Sequence, residues 1–182
     1  IIRNSKFKIQ NSKILDIFAG SGRIGLAILK HIKNANVIFV DKEKKCIEQI
    51  KINCKLNKIG KDRYKIIKSD VFENIKPIMP GFDEKKPGIG FDFIFANPPY
   101  VRTILRNRIQ KSVLNFEPKT SLFGGKDGLF YINKFLRDAK KNLNKNGKIF
   151  MEFSPEQKKE IEKIIKKYNY SNCEFHKDQF NK

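Results

Sequence analysis

The sequence lacks any run of the roughly 18–20 consecutive apolar residues that a bilayer span requires, and its N-terminus lacks the basic-then-apolar pattern of a secretory signal. Neither membrane insertion nor export is expected, and the chain reads as cytoplasmic with no membrane partner. Cysteine is scarce: Cys46, Cys54 and Cys173 are widely spaced, form no CxxC pair and have only His31 and His176 as companions. Disulfide frameworks and zinc centres need paired, closely spaced ligands, so free thiols and no metal are expected. Cys46 and Cys54, in a helical pattern, read as small apolar residues on a buried face. Internal repeats and low-complexity tracts are missing. Acidic residues are few, 19 against 39 Lys and Arg, giving a formal net charge of +20. Such an excess attracts phosphate. Here it is spread evenly, through structural helices as well, which marks a compositional bias and leaves nucleic acid a possible but not the favoured partner.

What is present suffices for one domain spanning residues 1–182, with 40% apolar and 12% aromatic content. The chain opens on Ile1, close to its first strand, and reads as a piece of a longer protein. Apolar patterning predicts strands over residues 13–18, 36–40, 64–68, 91–96, 147–153 and 172–176. Helices are predicted after Gly22, over 43–58, as a short turn at 72–75, over 129–143, and from Pro155 to 167. Prolines and glycines make 77–90 a loop, and the polar stretch 97–127 is longer than an ordinary connection, as function-bearing loops are. Strands alternating with helices imply an α/β fold, a mostly parallel sheet covered on both faces, with ligands at the carboxyl ends of its strands.

The suggestive residues fall at those ends. LDIFAGSGRIGL joins the first strand to its helix through Gly20, Ser21 and Gly22, where a backbone without Cβ can turn sharply and approach a ligand. Asp41 ends the second strand, placed either to accept hydrogen bonds from both hydroxyls of a ribose or to cap the next helix. Gly20, Gly22 and Gly25 satisfy the spacing of a dinucleotide site. Asp16 decides against it: a carboxylate in the turn repels phosphate but can hold the cationic amino-acid end of S-adenosyl-L-methionine. Asp70 after the third strand suits the adenine amino group, with Val71 as an apolar contact.

After the fourth strand comes Asn97-Pro98-Pro99-Tyr100. The prolines fix the backbone and leave carbonyls without local amide partners. The Asn97 side-chain oxygen and the Pro98 carbonyl can each accept one hydrogen from a substrate NH2, and Tyr100 offers a flat surface to a planar amide or base. Positioning and electrostatics then carry methyl transfer, with no separate general base.

LDIFAGSG, Asp41, SDVF and NPPY in this order resemble the class I amino-methyltransferases, which implies a Rossmann-like sheet of order 3-2-1-4-5-7-6. NPPYV followed by NFEPKTSLFGGKDGLFYINKF, residues 97–135, is similar to the release-factor glutamine methyltransferases. That resemblance implies a peptide chain release factor as protein substrate, methylated at the glutamine of its GGQ motif. It assigns Phe18, Ala19, Gly20, Ser21, Gly22 and Asn97 to the cofactor, and Glu117 and Pro118 to the substrate. Phe18 and Ala19 depart from the family's usual GTGSG and match a variant found in ribosomal-RNA guanine methyltransferases. The family's N-terminal helical domain and its last antiparallel strand have no counterpart. Methylation of an exocyclic amino group in RNA or DNA, and a non-catalytic cofactor-binding fragment, are the alternative readings.

Overall fold

Ile14, Leu15, Val37, Phe39, Val40 and Ile94 are each no more than 1% exposed, so three short strands are packed on both sides. That is why KILDI, NVIFVD and FDFIFA read as near-continuous apolar runs and not as alternating ones. The computed structural model describes residues 11–75, 90–108 and 122–177. Its elements are β1 (Lys13–Ile17), α1 (Arg23–His31), β2 (Asn36–Asp41), α2 (Lys44–Leu56), β3 (Tyr64–Lys68), β4 (Phe91–Ala96), α3 (Phe130–Ala139), β5 (Leu143–Met151) and α4 (Lys158–Lys167). The strands form one sheet of order β3-β2-β1-β4-β5, parallel at every pairing. No helix among the described residues is long and apolar enough to cross a membrane.

The packing divides the chain into two compact units, residues 1–97 with 141–151, and 98–140 with 152–182. In the first, α1 and α2 cover one face of the sheet: Ile28, Leu29, Ile50 and Cys54 pack with Ile14, Val37, Phe39 and Phe93. Arg63 donates to the carbonyls of Ile32 at 2.6 Å and Ala35 at 3.3 Å, satisfying acceptors that the end of α1 leaves open. The amino edge is knitted by polar side chains. Asp92 accepts the Lys13 N–H and the Asn144 side-chain amide, each at 2.8 Å, and Asn144 accepts the Gly90 N–H at 2.8 Å. In the second unit α3 packs on α4. The Tyr168 hydroxyl donates to Asn133 at 3.0 Å and that of Tyr170 to the Leu136 carbonyl at 2.7 Å.

Three expected elements are corrected. The helix expected over 129–143 stops at Ala139, and a single tight turn, Lys140–Asn142, leads into β5. β5 starts early because Leu143 pairs with Phe91; the ladder then slips, Phe93 facing Lys148, as the chain bulges through Asn146 at φ 69°. It ends at Met151, not at 153. No strand forms over 172–176: Asn172 is left-handed at φ 55° and Phe175 is the one residue there not fully exposed, so no apolar face exists to bury. The loop expected over 77–90 falls, but for Gly90, outside the described residues.

Gly25 explains how closely α1 sits on the sheet. A Cβ there would collide with the Phe39 ring and lie 2.8 Å from Val37 Cγ1. Gly25→Ala gains about 1 kcal/mol of helix propensity but overpacks the core at a cost of about 1–3 kcal/mol. Urea denaturation should show a net loss of stability; a gain would mean that Phe39 rearranges freely.

Candidate functional site

With all strands parallel, the carboxyl ends of β1 to β4 share one edge. Two residues that disfavour a left-handed backbone adopt it there. Phe18, just past β1, has φ 58°, Gly20 and Gly22 have φ 55° and 80°, and Val71, after β3, has φ 55°. A left-handed phenylalanine or β-branched valine costs roughly 1–3 kcal/mol, and such residues cluster where a site needs a fixed backbone. At Gly20 an added Cβ would meet nothing within 4 Å, so the turn borders open space. Gly22 is tighter: its Cβ would lie 3.2 Å from both Ile50 and Phe39.

Asp41, the last residue of β2, ties this edge together. Its Oδ2 accepts the Gly20 N–H and its Oδ1 the Glu43 N–H, both at 2.8 Å. The N-cap of α2 is Glu43 and not Asp41, which corrects the capping alternative. Two N–H groups and the Cys46 thiol leave part of the carboxylate's acceptor capacity open. The Ala19 N–H donates to Val40 and the Ser69 N–H to Asp41, each to a carbonyl at 3.0 Å, so the ends of β1, β2 and β3 are laced directly. Burial pushes the Asp41 carboxyl upward, opposed by the Glu43 and Gly20 N–H groups and by a hydrogen bond from the Cys46 thiol. Burial and the nearby Asp41 and Glu43 charges raise that thiol to about 11.

Asp16 is 2% exposed, and its Oδ2 accepts the Gly25 N–H in the first turn of α1 at 2.9 Å. Burial raises its carboxyl to about 7, against the pull of the Gly25 N–H and with a further push from Asp41. Two carboxylates in one partly dehydrated corner favour a cation there. Asp70 follows β3 half-buried and Val71 is 3% exposed. Ser21 is held from α2: the Asn53 amide donates to its carbonyl at 2.9 Å, and Gln49 donates to Asn53 at 3.0 Å.

Asn97 leaves the same edge, exposed, one residue past the Ile17↔Ala96 pair that ends the β1–β4 ladder. In the second unit Pro98 and Pro99 are buried and Tyr100 half-buried. Among the described residues no hydrogen bond reaches the Pro98 carbonyl. The Tyr100 hydroxyl donates to Glu152 Oε1 at 3.1 Å. GGKDG closes on this run: the Val101 N–H donates to Leu122 at 3.0 Å, and the Gly124 N–H to Val101 and Thr103 N–H to Gly125 at 2.9 Å, all to carbonyls. A Cβ at Gly124 would strike the Pro99 carbonyl, and one at Gly128 the Tyr100 carbonyl. Those glycines are required for close backbone approach. Glu117 and Pro118 lie outside the described residues.

Sequence reasoning missed Asn53 and the contact of Cys46 with Asp41. The readable signal for Asn53 was an amide set against the buried stripe Ile47, Ile50 and Cys54 of α2. Cys46 carried none, because a thiol on a half-apolar face reads the same whether or not an acid faces it.

A parallel 3-2-1-4-5 sheet with a glycine turn after β1 and an acid ending β2 is the Rossmann-like fold of class I methyltransferases. It is similar to the crystal structure of the ribosomal protein L11 methylase from Lactobacillus delbrueckii subsp. bulgaricus, with a TM-score of 0.63 and 14% identity over 98% of this chain and 69% of that one. The chain belongs to the family described as Conserved hypothetical protein 95, whose model matches residues 1–134. It is 33% identical to the release factor glutamine methyltransferase of Flavobacterium psychrophilum over 93% of its own length and 55% of that protein. It is 34% identical to the bifunctional methyltransferase of Rickettsia conorii over 91% of this chain and 29% of the relative. The resemblance read from NPPY and GGKDGL is borne out, and the chain spans about half the length of the first of these relatives.

Asp16 gives a pH signature. A carboxyl that titrates near 7 folded and near 3.8 unfolded stabilises the fold only while protonated: its contribution is complete below about pH 4 and lost as pH rises through 7. Asp16→Asn keeps an acceptor for Gly25 and cannot ionise. Between pH 5 and 8 wild-type stability should fall relative to the variant by about 2–4 kcal/mol. Parallel pH profiles of the two would mean that Asp16 is neutralised some other way.

Proposed function

We propose that this chain is the catalytic domain of an S-adenosyl-L-methionine-dependent methyltransferase that modifies the side-chain amide nitrogen of a glutamine in a protein, a peptide chain release factor. The observation that carries the reading is the register of β4 on β1, whose last pair, Ile17↔Ala96, ends both strands at the same edge, immediately before Phe18 and Asn97.

The residues at the edge fit the donor. Asp41 keeps acceptor capacity for a ribose hydroxyl, with a second admitted where the Cys46 thiol gives way, and Gly20 borders open space. Asp16 and Asp41 are carboxyls that burial pushes toward neutrality, and a sulfonium or ammonium beside them would favour their ionised forms. Phe18, Ala19, Ser21 and Gly22 form the wall of the turn, while Asp70 and Val71 are offered to the adenine. S-adenosyl-L-methionine supplies, when bound, a methyl group activated by the positive sulfur beside it.

The chain's own residues do the rest. Asn97 Oδ1 and the Pro98 carbonyl each accept one hydrogen of the substrate amide, so its nitrogen is held with the lone pair aimed at the methyl carbon. These acceptors bind more strongly as positive charge grows on nitrogen, which makes them transition-state contacts. Pro99 stiffens the run and the Tyr100 ring, fixed through Glu152, stacks on the amide plane. The nitrogen's proton becomes acidic as the new N–C bond forms and leaves to water. The similarity to release factor glutamine methyltransferases supports a release factor as substrate, and the cytoplasm, where translation ends, as the location.

Asp41→Ala removes a partly buried carboxylate and should weaken S-adenosylhomocysteine binding by about 1–3 kcal/mol in a calorimetric titration. Unchanged affinity would leave Asp41 only a brace for the turn. In a methyl-transfer assay offering a release factor and a structured RNA in parallel, label should enter a glutamine amide of the protein. Asn97→Ala should lower turnover about 10²–10³-fold with cofactor affinity intact. Label in the RNA alone would reverse the substrate reading, and near-normal turnover by Asn97→Ala would reduce NPPY to a strand terminator.

A further inference from the structure

Gln157, just before α4, is 1% exposed although its side chain is an amide. Burying an amide is costly unless its groups are paired. Here they are: Oε1 accepts the Ser154 N–H at 3.3 Å, while Nε2 donates to the carbonyl of Tyr100 at 3.1 Å and to that of Asp127 at 3.2 Å. One side chain thereby joins three segments: the end of NPPY, the GGKDG loop and the turn that enters α4. Gly128 shows how tight the junction is, since a Cβ there would strike the Tyr100 carbonyl and lie 2.5 Å from Gln157 Nε2. A methionine could fill the same volume. Only a group with two N–H donors can hold two carbonyls that come from different parts of the chain.

We propose that Gln157 is a positioning residue for methyl transfer: by holding the Tyr100 and Asp127 carbonyls it fixes the direction of the Pro98 carbonyl and the plane of the Tyr100 ring. The inference rests on the reading that these two groups bind the substrate amide. The Val101 N–H and carbonyl are engaged by Leu122 and Gly124, and the Tyr100 carbonyl by Gln157. The run is therefore clamped at two successive carbonyls, and Pro98, next to Pro99, inherits that rigidity. Without the clamp the NPPY run keeps its sequence but loses its aim, and a misplacement of about 1 Å costs on the order of 10²-fold in rate.

Gln157→Met, which keeps length and removes both donors, separates positioning from mere folding. Amide hydrogen exchange should quicken at Val101 and Gly124 by about tenfold or more, as local opening does, with Gly20 and Glu43 unchanged. Affinity for S-adenosylhomocysteine should stay within about twofold, while kcat on the release factor falls about 10²-fold and KM moves little. Unchanged exchange at Val101 and Gly124, or unchanged kcat, overturns the proposal. So does exchange that quickens equally in both units with loss of cofactor binding, the mark of general destabilisation. If Gln157→Met does not fold, Gln157→Asn, which keeps the donors one methylene short, is read in the same way. Should the wild-type chain methylate no release factor, the substrate reading fails, and the exchange pattern still decides whether Gln157 clamps the run.

Discussion

The hydrogen bond from the Gly20 N–H to the Asp41 carboxylate fixes the turn on which the candidate site depends. β1 and β2 pair in parallel and are covered by the same two helices, but hydrophobic packing alone leaves the loops beyond them free to choose many paths. Asp41 removes that freedom by accepting one N–H from the turn after β1 and another from the entrance to α2. The turn also needs a hard floor, which Phe39 and Ile50 provide beneath Gly22. It needs a side support too, which comes from Asn53 on the Ser21 carbonyl. Packing, helix position and a single carboxylate all converge on the same few backbone atoms.

The two edges of the sheet are treated in opposite ways. At the amino edge Asp92, Asn144 and the backbone satisfy one another, and the left-handed residues there, Asn11 and Asn146, are of the type that adopts that conformation readily. At the carboxyl edge Phe18 and Val71 sit in left-handed conformations and Asp16 is buried at the cost of its normal acidity. Strain and unfavourable charge burial persist where something offsets them, and a bound cationic ligand would offset both. The second unit repeats this economy with backbone in place of charge. Gly124 and Gly128 admit a neighbouring strand of chain closer than any side chain would permit, and Gln157 fastens it.

Much of this was legible before any coordinates. The strand-to-glycine junction after β1, the acid ending β2 and the double proline ending β4 are local chemistry, set by which residues tolerate a sharp turn or end a ladder. The parallel sheet followed from alternating strands and helices, and its strand order was implied by the family resemblance alone. Long-range pairing was not legible. Leu143 joins the sheet because Phe91 is its partner, and nothing near residue 143 announces that, so its apolar pattern reads as a continuation of the helix before it. Residues 172–176 carry weak β-propensity but no apolar face, and propensity without a surface to bury does not make a strand. The burial of Asp16 and the roles of Cys46, Asn53 and Gln157 depend on neighbours brought from other elements, which a one-dimensional pattern does not encode.

The account rests on the claim that the carboxyl edge of β1, β2 and β3 holds the methyl donor, and nitrogen-15 NMR of the chain titrated with S-adenosylhomocysteine tests it most directly. The amides of Gly20, Glu43 and Val71 should shift together and saturate, while those of Lys13 and Gly90 at the opposite edge stay fixed. Saturable shifts confined to the amino edge, or none at all, would contradict it.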